Sequence, residues 1–270
     1  MCRMLGYLGE PIRLGELLER PPHSLERQSY AAKELRGAVV CADGWGAGFY
    51  VPDDPLPCLY RSTLPIWADA NREHLARAIH SRCALACVRS ATDSLSVSIA
   101  STPPFSMGPL VLAHNGYIEN FSRTLARQLE QDLSDTHYSQ IRGRTDTEYV
   151  LASIADAYHR EPRGREPARP GRLLNAVSTA LRNLMERTER AGIRGLYALL
   201  VSDGESLVAT RAAVGDEPPS LYFSNRSPSV KSGVVIASEP LDGSGSWCSL
   251  PTQRAFLFSA DGMQNEVALS

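Results

Sequence analysis

The spacing of apolar positions changes period along this chain. Side chains return every three or four residues at Leu75, Ala78 and Ile79, at Leu125, Leu129 and Leu133, and at Val150, Leu151, Ile154, Ala155 and Tyr158, and each group predicts a helix. A longer stripe, Leu174, Val177, Leu181, Leu184 and Met185, predicts a helix from Leu173 to Ala191. Short apolar runs of strand length, Leu85 to Val88 and Leu110 to Ala113, lie between the helical patterns. Beyond residue 191 the pattern is strand and turn: Leu196 to Val201, a Ser202-Asp203-Gly204-Glu205 turn, Leu207 to Thr210, Leu221 to Phe223, Val234 to Ala237 and Ala255 to Phe258. These last strands are expected to form a meander. Strand-rich ends around grouped helices give an α+β layered protein on antiparallel sheets.

Residues 38 to 51 are apolar and β-prone at both ends with glycines between, which predicts a strand, a tight approach and a second strand. Gly44, Gly46 and Gly48 alternate, so one strand face is bare. A packed helix or the backbone of a substrate would fill that space. The segment 162–171, Pro-Arg-Gly-Arg-Glu-Pro-Ala-Arg-Pro-Gly, holds no regular element and too little apolar content to pack. It is expected to be a mobile basic loop, with an acidic partner as the sharper alternative. No composition break divides the chain, so residues 1–270 read as one domain.

Formal net charge is -2 with acids and bases interspersed, which gives no field for nucleic acid or an anionic membrane surface. Neither a membrane-spanning run nor the apolar core of a signal peptide is present, and a cytoplasmic protein is expected. The six cysteines are too sparse for a disulfide framework. Alternation puts Cys83 and Cys87 on one face of a buried strand; core packing is the expectation there and a metal pair the alternative. No cofactor is implied, and oligomeric state is left open.

Position two carries the first chemical signal. Removal of Met1, which small second residues permit, would leave Cys2 with a thiol and a free α-amino group. The amine has a pKa of about 7.7 to 8.0 and the thiol roughly 8.5, so one residue supplies nucleophile and base near neutral pH. His114-Asn115-Gly116 follows directly on the run Leu110 to Ala113, where an amide side chain and a glycine N–H can serve as oxyanion donors or simply form a turn. Arg89 closes the run Leu85 to Val88 and opens Ser90-Ala91-Thr92; its guanidinium can hold a carboxylate bidentately. Thr145 and Glu148 stand at capping-box spacing around Asp146, which complements a helix dipole or binds a cation.

Met1-Cys2, Arg89-x-x-Thr92, His114-Asn115-Gly116 and Thr145-Asp146-x-Glu148, in this order, resemble the glutaminase domain of the class II glutamine amidotransferases. The similarity runs over about residues 2 to 240 and includes Ala237-Ser238-Glu239-Pro240. It implies a four-layer αββα sandwich, the N-terminal-nucleophile hydrolase fold, with Cys2 at the end of the first strand. A narrower resemblance, to the γ-glutamyl-hercynylcysteine sulfoxide hydrolases of ergothioneine biosynthesis, is carried by several segments. These are Met1-Cys2-Arg3, Pro21-Pro22-His23-Ser24-Leu25 with Gln28-Ser29-Tyr30, Ala42-Asp43-Gly44-Trp45-Gly46, Pro65-Ile66-Trp67-x-Asp69 and Val88-Arg89-Ser90-Ala91-Thr92. Where common amidotransferases continue His-Gly after the threonine, this chain has Asp93-Ser94, and no role passes to that position.

What the resemblance implies is an amidohydrolase acting on a small γ-glutamyl compound through a Cys2 thioester. Asn115 and Gly116 would stabilise the oxyanion, and Arg89 with Thr92 and Asp146 would bind the glutamyl group. A trimethylammonium on the leaving group would sit against an aromatic face, with Tyr30, Trp45, Trp67 and Phe105 as candidates and core packing as their alternative. Two other functions remain open at this point: a glutaminase subunit that supplies ammonia to a separate synthetase, and an inactive binding or regulatory module.

Overall fold

The computed structural model describes residues 2–91, 97–160, 171–230 and 232–269. The first half runs β1 (Arg3–Arg13), α1 (Leu14–Leu18), α2 (Leu25–Ala31), β2 (Trp45–Phe49), β3 (Cys58–Ser62), α3 (Arg72–Ala78), β4 (His80–Val88), β5 (Phe105–Met107) and β6 (Leu110–Ile118). Helices α4 (Phe121–Thr124), α5 (Ala126–Asp132), α6 (Asp135–Tyr138), α7 (Asp146–Arg160) and α8 (Arg172–Arg190) follow. The last part runs β7 (Gly195–Ser202), β8 (Leu207–Val214), β9 (Tyr222–Ser224), β10 (Val234–Ala237), β11 (Cys248–Ser249), β12 (Arg254–Ser259) and β13 (Gly262–Ala268).

Two antiparallel sheets result, ordered β11-β9-β10-β1-β4-β2-β3 and β13-β12-β8-β7-β6-β5. Three apolar clusters identify the layers. One joins Leu14, Leu17 and Leu25 of the early helices to Tyr7, Ala47, Ala86 and Val235 of the first sheet. The second lies between the sheets, with Met4, Cys87 and Ile236 from one and Val111, Leu200 and Phe256 from the other. The third packs Ile154 and Leu181 of α7 and α8 on Leu112, Leu199 and Leu257. Helix, sheet, sheet, helix is the αββα order expected, and the central strands bury both faces because alternate residues belong to different clusters, whereas the edge strands β11 and β13 are largely exposed.

Several expectations change. The final strands are no single meander: β9, β10 and β11 join the first sheet while β7, β8, β12 and β13 build the second. Each sheet needs partners for its open edge, so the chain crosses between them. Residues 38–44 are not a strand; Val39 is 91% exposed, and the glycine segment itself is β2. A Cβ on Gly46 would lie 2.5 Å from Pro103 O, and one on Gly48 would lie 2.7 Å from Val111 Cγ2. The chain's own 103–104 segment and second sheet fill the bare face, rather than a helix or a ligand. Cys83 and Cys87 both pack between the sheets. The basic loop of 162–171 falls, except for Gly171, outside the described residues.

One buried ion pair sets the start of β1. Arg3 donates from Nε to the Cys2 carbonyl oxygen at 2.8 Å and from Nη1 to Glu239 Oε1 at 3.1 Å. Glu239, just past β10, also accepts His23 Nε2 at 2.7 Å, Lys33 N at 2.8 Å and Glu34 N at 2.9 Å. Met4 and Ser238 close the arrangement, Met4 N donating to Ser238 Oγ at 3.0 Å and Ser238 N to Met4 O at 2.9 Å. Burial pushes the Glu239 carboxyl up, but the bonds from His23, Lys33 and Glu34 and the charge of Arg3 win and hold it at about 2. A depressed carboxylate stabilises the fold fully above its unfolded pKa of about 4.3, and that contribution is lost as pH falls toward the folded value. Glu239→Gln leaves Arg3 buried without its counter-charge, a change that costs about 3–5 kcal/mol and lowers Tm by roughly 10 °C. Thermal melts at pH 7 check this, and an unchanged Tm would contradict it.

Candidate active site

Cys2 immediately precedes β1 and is partly buried, packed against the cluster that contains Met4, Cys87 and Ala113. Arg3 pairs with Val88 and Met4 with Cys87, so alternation places Cys2 and Cys87 on one face, diagonally across the ladder. Its sulfur lies 3.9 Å from Ser90 O. The neighbouring Cys87 thiol draws the Cys2 thiol down to about 6 against the upward push of burial, and the charge of Arg89 adds to the lowering. Cys87 moves well upward in return, through its nearness to Cys2 and through burial.

Arg89 stands one residue beyond β4. Its backbone is clamped from the segment before β2: Arg89 N donates to Gly44 O at 2.8 Å and Asp43 N to Arg89 O at 3.0 Å. The Asp43 carboxylate also accepts Ala91 N at 2.8 Å. Asp43 therefore fixes the turn that carries Arg89, whose charge reaches the Cys2 thiol.

The second sheet contributes β6. Its partner β5 pairs only with Leu110 to Leu112, whereas β7 pairs along the whole of Val111 to Ile118. From residue 113 onward, no strand among the described residues covers the β5 side. Ile118 N donates to Asp146 Oδ2 at 2.8 Å; since amides two residues apart on a strand point the same way, Gly116 N–H faces the same open edge. Asn115 is 0% exposed, and neither its Nδ2 nor its Oδ1 has a hydrogen-bond partner among the described residues. An amide buried without partners costs on the order of 1–3 kcal/mol, a cost that a ligand bound to it would offset. A Cβ on Gly116 would sit 1.9 Å from Leu196 O and 2.4 Å from His114 Nε2, so only glycine fits there.

Asp146 opens α7 beside this edge, and its Oδ1 accepts Thr147 N at 2.7 Å. The segment before it is held by Glu148, whose Oε1 accepts Arg142 N at 2.9 Å and Gly143 N at 2.8 Å while Oε2 accepts the Thr145 hydroxyl at 3.1 Å. This is a variant of the expected capping box, with the carboxylate gathering the preceding turn. No group of three or more metal-ligating side chains occurs among the described residues, and no helix there is long and apolar enough to cross a membrane.

Comparison with known proteins decides the family. The model for class-II glutamine amidotransferases matches residues 24–268. The chain belongs to the class-II glutamine amidotransferases. With that membership it is an enzyme that cleaves an amide bond. This amidotransferase is 32% identical over 251 residues to a γ-glutamyl-hercynylcysteine sulfoxide hydrolase of Mycobacterium tuberculosis, covering 93% of this chain and 90% of the relative. It is 31% identical to the protein of the same name from Mycolicibacterium smegmatis, covering 93% and 92%. A glutamine aminotransferase class-II domain protein from Silicibacter pomeroyi shares the fold at a TM-score of 0.67 and 21% identity over 99% of both chains.

Within this class-II amidotransferase the sequence candidates separate into groups. Cys2 and Arg89 come together at the ends of β1 and β4, and Asn115, Gly116 and Asp146 at the open edge of β6. His114-Asn115-Gly116 lies inside β6 and not past its end, because β7 continues to pair with it. Trp45 and Phe105 are corrections: each is core, Trp45 against α1 and α2 with its indole N–H on Asp69 at 2.9 Å, and Phe105 under α7 and α8. Tyr30 and Trp67 are 45% and 39% exposed and stack edge to face at 5.6 Å. Thr92 lies outside the described residues. Sequence reasoning gave no role to Arg3, His23 or Thr147 and read Cys87 only as core or half of a metal pair; the adjacency of Arg3 to Cys2 and the Ser238-Glu239 pair were the available signals.

The thiol arrangement predicts a pH dependence. Alkylation of Cys2 by iodoacetamide, followed by peptide mass, should rise with a midpoint near 6, because the thiolate is the reactive form. In Cys87→Ala the midpoint should move up toward the ordinary thiol value of roughly 8.5; an unchanged profile would remove Cys87 from the account.

Proposed function

We propose that this enzyme hydrolyses the γ-glutamyl amide bond of a small γ-glutamyl compound through a thioester on Cys2. The observation that carries the reading is the fully buried, unpartnered side-chain amide of Asn115 next to a Gly116 N–H directed at an open strand edge. An amide without a side-chain partner, on the same face of β6 as Ala113 and so turned toward the cluster that holds a lowered thiol, suits an oxyanion that exists only during reaction.

Once Met1 is removed, the α-amino group holds the proton that the thiol has given up and the Cys2 thiolate attacks the γ-carbonyl carbon. The tetrahedral oxyanion accepts from Asn115 Nδ2 and Gly116 N, each contact worth about 3 kcal/mol in comparable sites. The carbon–nitrogen bond breaks as the amine returns the proton to the leaving nitrogen. Water then attacks the thioester and releases glutamate. Arg89 pairs with the α-carboxylate of the substrate and Asp146 with its α-ammonium, as the cost of leaving either charge unpaired requires.

For the leaving group, the similarity to the mycobacterial hydrolases supports γ-glutamyl-hercynylcysteine sulfoxide. Its trimethylammonium needs an aromatic face. Arg27 already lies 5.3 Å over the Tyr30 ring, so Trp67 is the face left for a substrate cation. Steady-state kinetics with that sulfoxide and with plain γ-glutamyl amides test both halves. Asn115→Ala should lower kcat by about 10²–10³-fold on every γ-glutamyl substrate. Trp67→Ala should lower kcat/KM about fivefold on the sulfoxide alone. Full activity in Asn115→Ala would overturn the mechanism. An equal response of both substrates to Trp67→Ala would overturn the cation site, and glutaminase activity that appears only with a co-purifying synthetase would favour an ammonia-supplying role.

A further inference from the structure

His114 opens the His-Asn-Gly stretch yet has no part in the amide cleavage described above. Its ring is buried and bridges two elements, with Nε2 2.8 Å from Leu196 O on β7 and Nδ1 3.0 Å from the Thr147 hydroxyl in the first turn of α7. The same ring occupies the space that a side chain at Gly116 would need. A carbonyl oxygen only accepts, so Nε2 carries a proton; in the neutral ring Nδ1 then accepts, and the Thr147 hydroxyl is the donor.

That hydroxyl has one hydrogen and two acceptors within reach, His114 Nδ1 at 3.0 Å and Asp146 Oδ1 at 3.2 Å. Given to the ring, the hydrogen is not given to the carboxylate. Asp146 otherwise accepts one backbone amide on each oxygen, Thr147 N on Oδ1 and Ile118 N on Oδ2, and a carboxylate has about four acceptor sites. The choice made by Thr147 therefore decides whether Oδ1 retains a free lone pair at the mouth of the site.

We propose that His114 is a positioning residue for substrate recognition: by drawing the Thr147 hydroxyl hydrogen away from Asp146 it keeps an acceptor site on Oδ1 open for the α-ammonium of the γ-glutamyl group. The inference rests on the reading of Asp146 as the ammonium site. Without an acceptor at position 114, Thr147 turns its hydrogen to Asp146 and competes with the substrate. Removing the hydroxyl as well abolishes the competition, so the second substitution relieves the first. A ring that merely fills space would give no such relief.

The experiment compares kcat/KM for a γ-glutamyl amide with that for the matching glutaryl amide, which lacks only the α-amine. In His114→Phe the ratio should fall about tenfold, the effect of one hydrogen bond to a charged group, with the loss in KM of the γ-glutamyl substrate and kcat on the glutaryl amide little changed. His114→Gln, which keeps a donor and an acceptor, should retain the ratio. His114→Phe/Thr147→Val should regain most of it. Thr147→Val alone should leave it undiminished, a measurement that stands even where His114→Phe does not fold. An equal fall on both substrates, or a tenfold loss of the ratio in Thr147→Val, would overturn the proposal. Asp146→Asn separates the two layers: a ratio unchanged there removes the ammonium site itself, whereas a ratio that collapses there and is untouched by the His114 variants removes only the role of His114.

Discussion

The contact on which the rest of the structure depends is the buried pair between Arg3 and Glu239. Cys2, the proposed nucleophile, lies outside the sheet, and ladder pairing of β1 begins one residue later, at Arg3. The Cys2 carbonyl is held by the Arg3 guanidinium, and Glu239 holds that guanidinium from the far end of the sequence. Glu239 is in turn fixed by His23 and by two backbone amides, so α2 and the segment after it are tied to the same point. A buried ion pair is not in general a source of net stability. Here its geometric effect matters more, since it fixes the direction in which Cys2 leaves the sheet.

That constraint matters because the site is divided between the two sheets. Cys2 and Arg89 belong to the first, while Asn115 and Gly116 belong to the second and Asp146 to the helix laid over it. The apolar cluster between the sheets sets their separation, and close-packed interiors transmit small displacements rather than absorb them. In the proposed mechanism, a strand-end thiol and a strand-borne oxyanion donor are therefore held in register by the apolar core between the sheets. The short β5 has a corresponding role: by pairing only with Leu110 to Leu112 it leaves the rest of β6 open to Asp146 of α7.

Much of the scaffold was legible in the sequence because its elements are amphipathic over many residues. The stripes of α7 and α8 and the runs of β4, β7, β10 and β12 repeat a period long enough to read, and the α+β class follows from their order. Val39 misled because local β propensity is weak against the close approach that Gly46 permits, which moved the strand onto the glycines. Trp45 and Phe105 misled because an aromatic near a motif is more often core, and nothing local says which face it takes. The candidate residues Cys2, Arg89, Asn115, Gly116 and Asp146 were singled out by position and type. Their supports were not: Arg3 with Glu239, Asp43 with Ala91 and His114 with Thr147 join residues far apart in the chain, and no periodicity reports such pairs.

The measurement closest to the central claim is the intact and peptide mass of the purified enzyme before and after incubation with 6-diazo-5-oxo-L-norleucine, a glutamine mimic that alkylates an attacking thiol. The account predicts a mass lacking Met1 and a single adduct on Cys2 that is absent in Cys2→Ala. A chain that retains Met1 and takes up no adduct would contradict it.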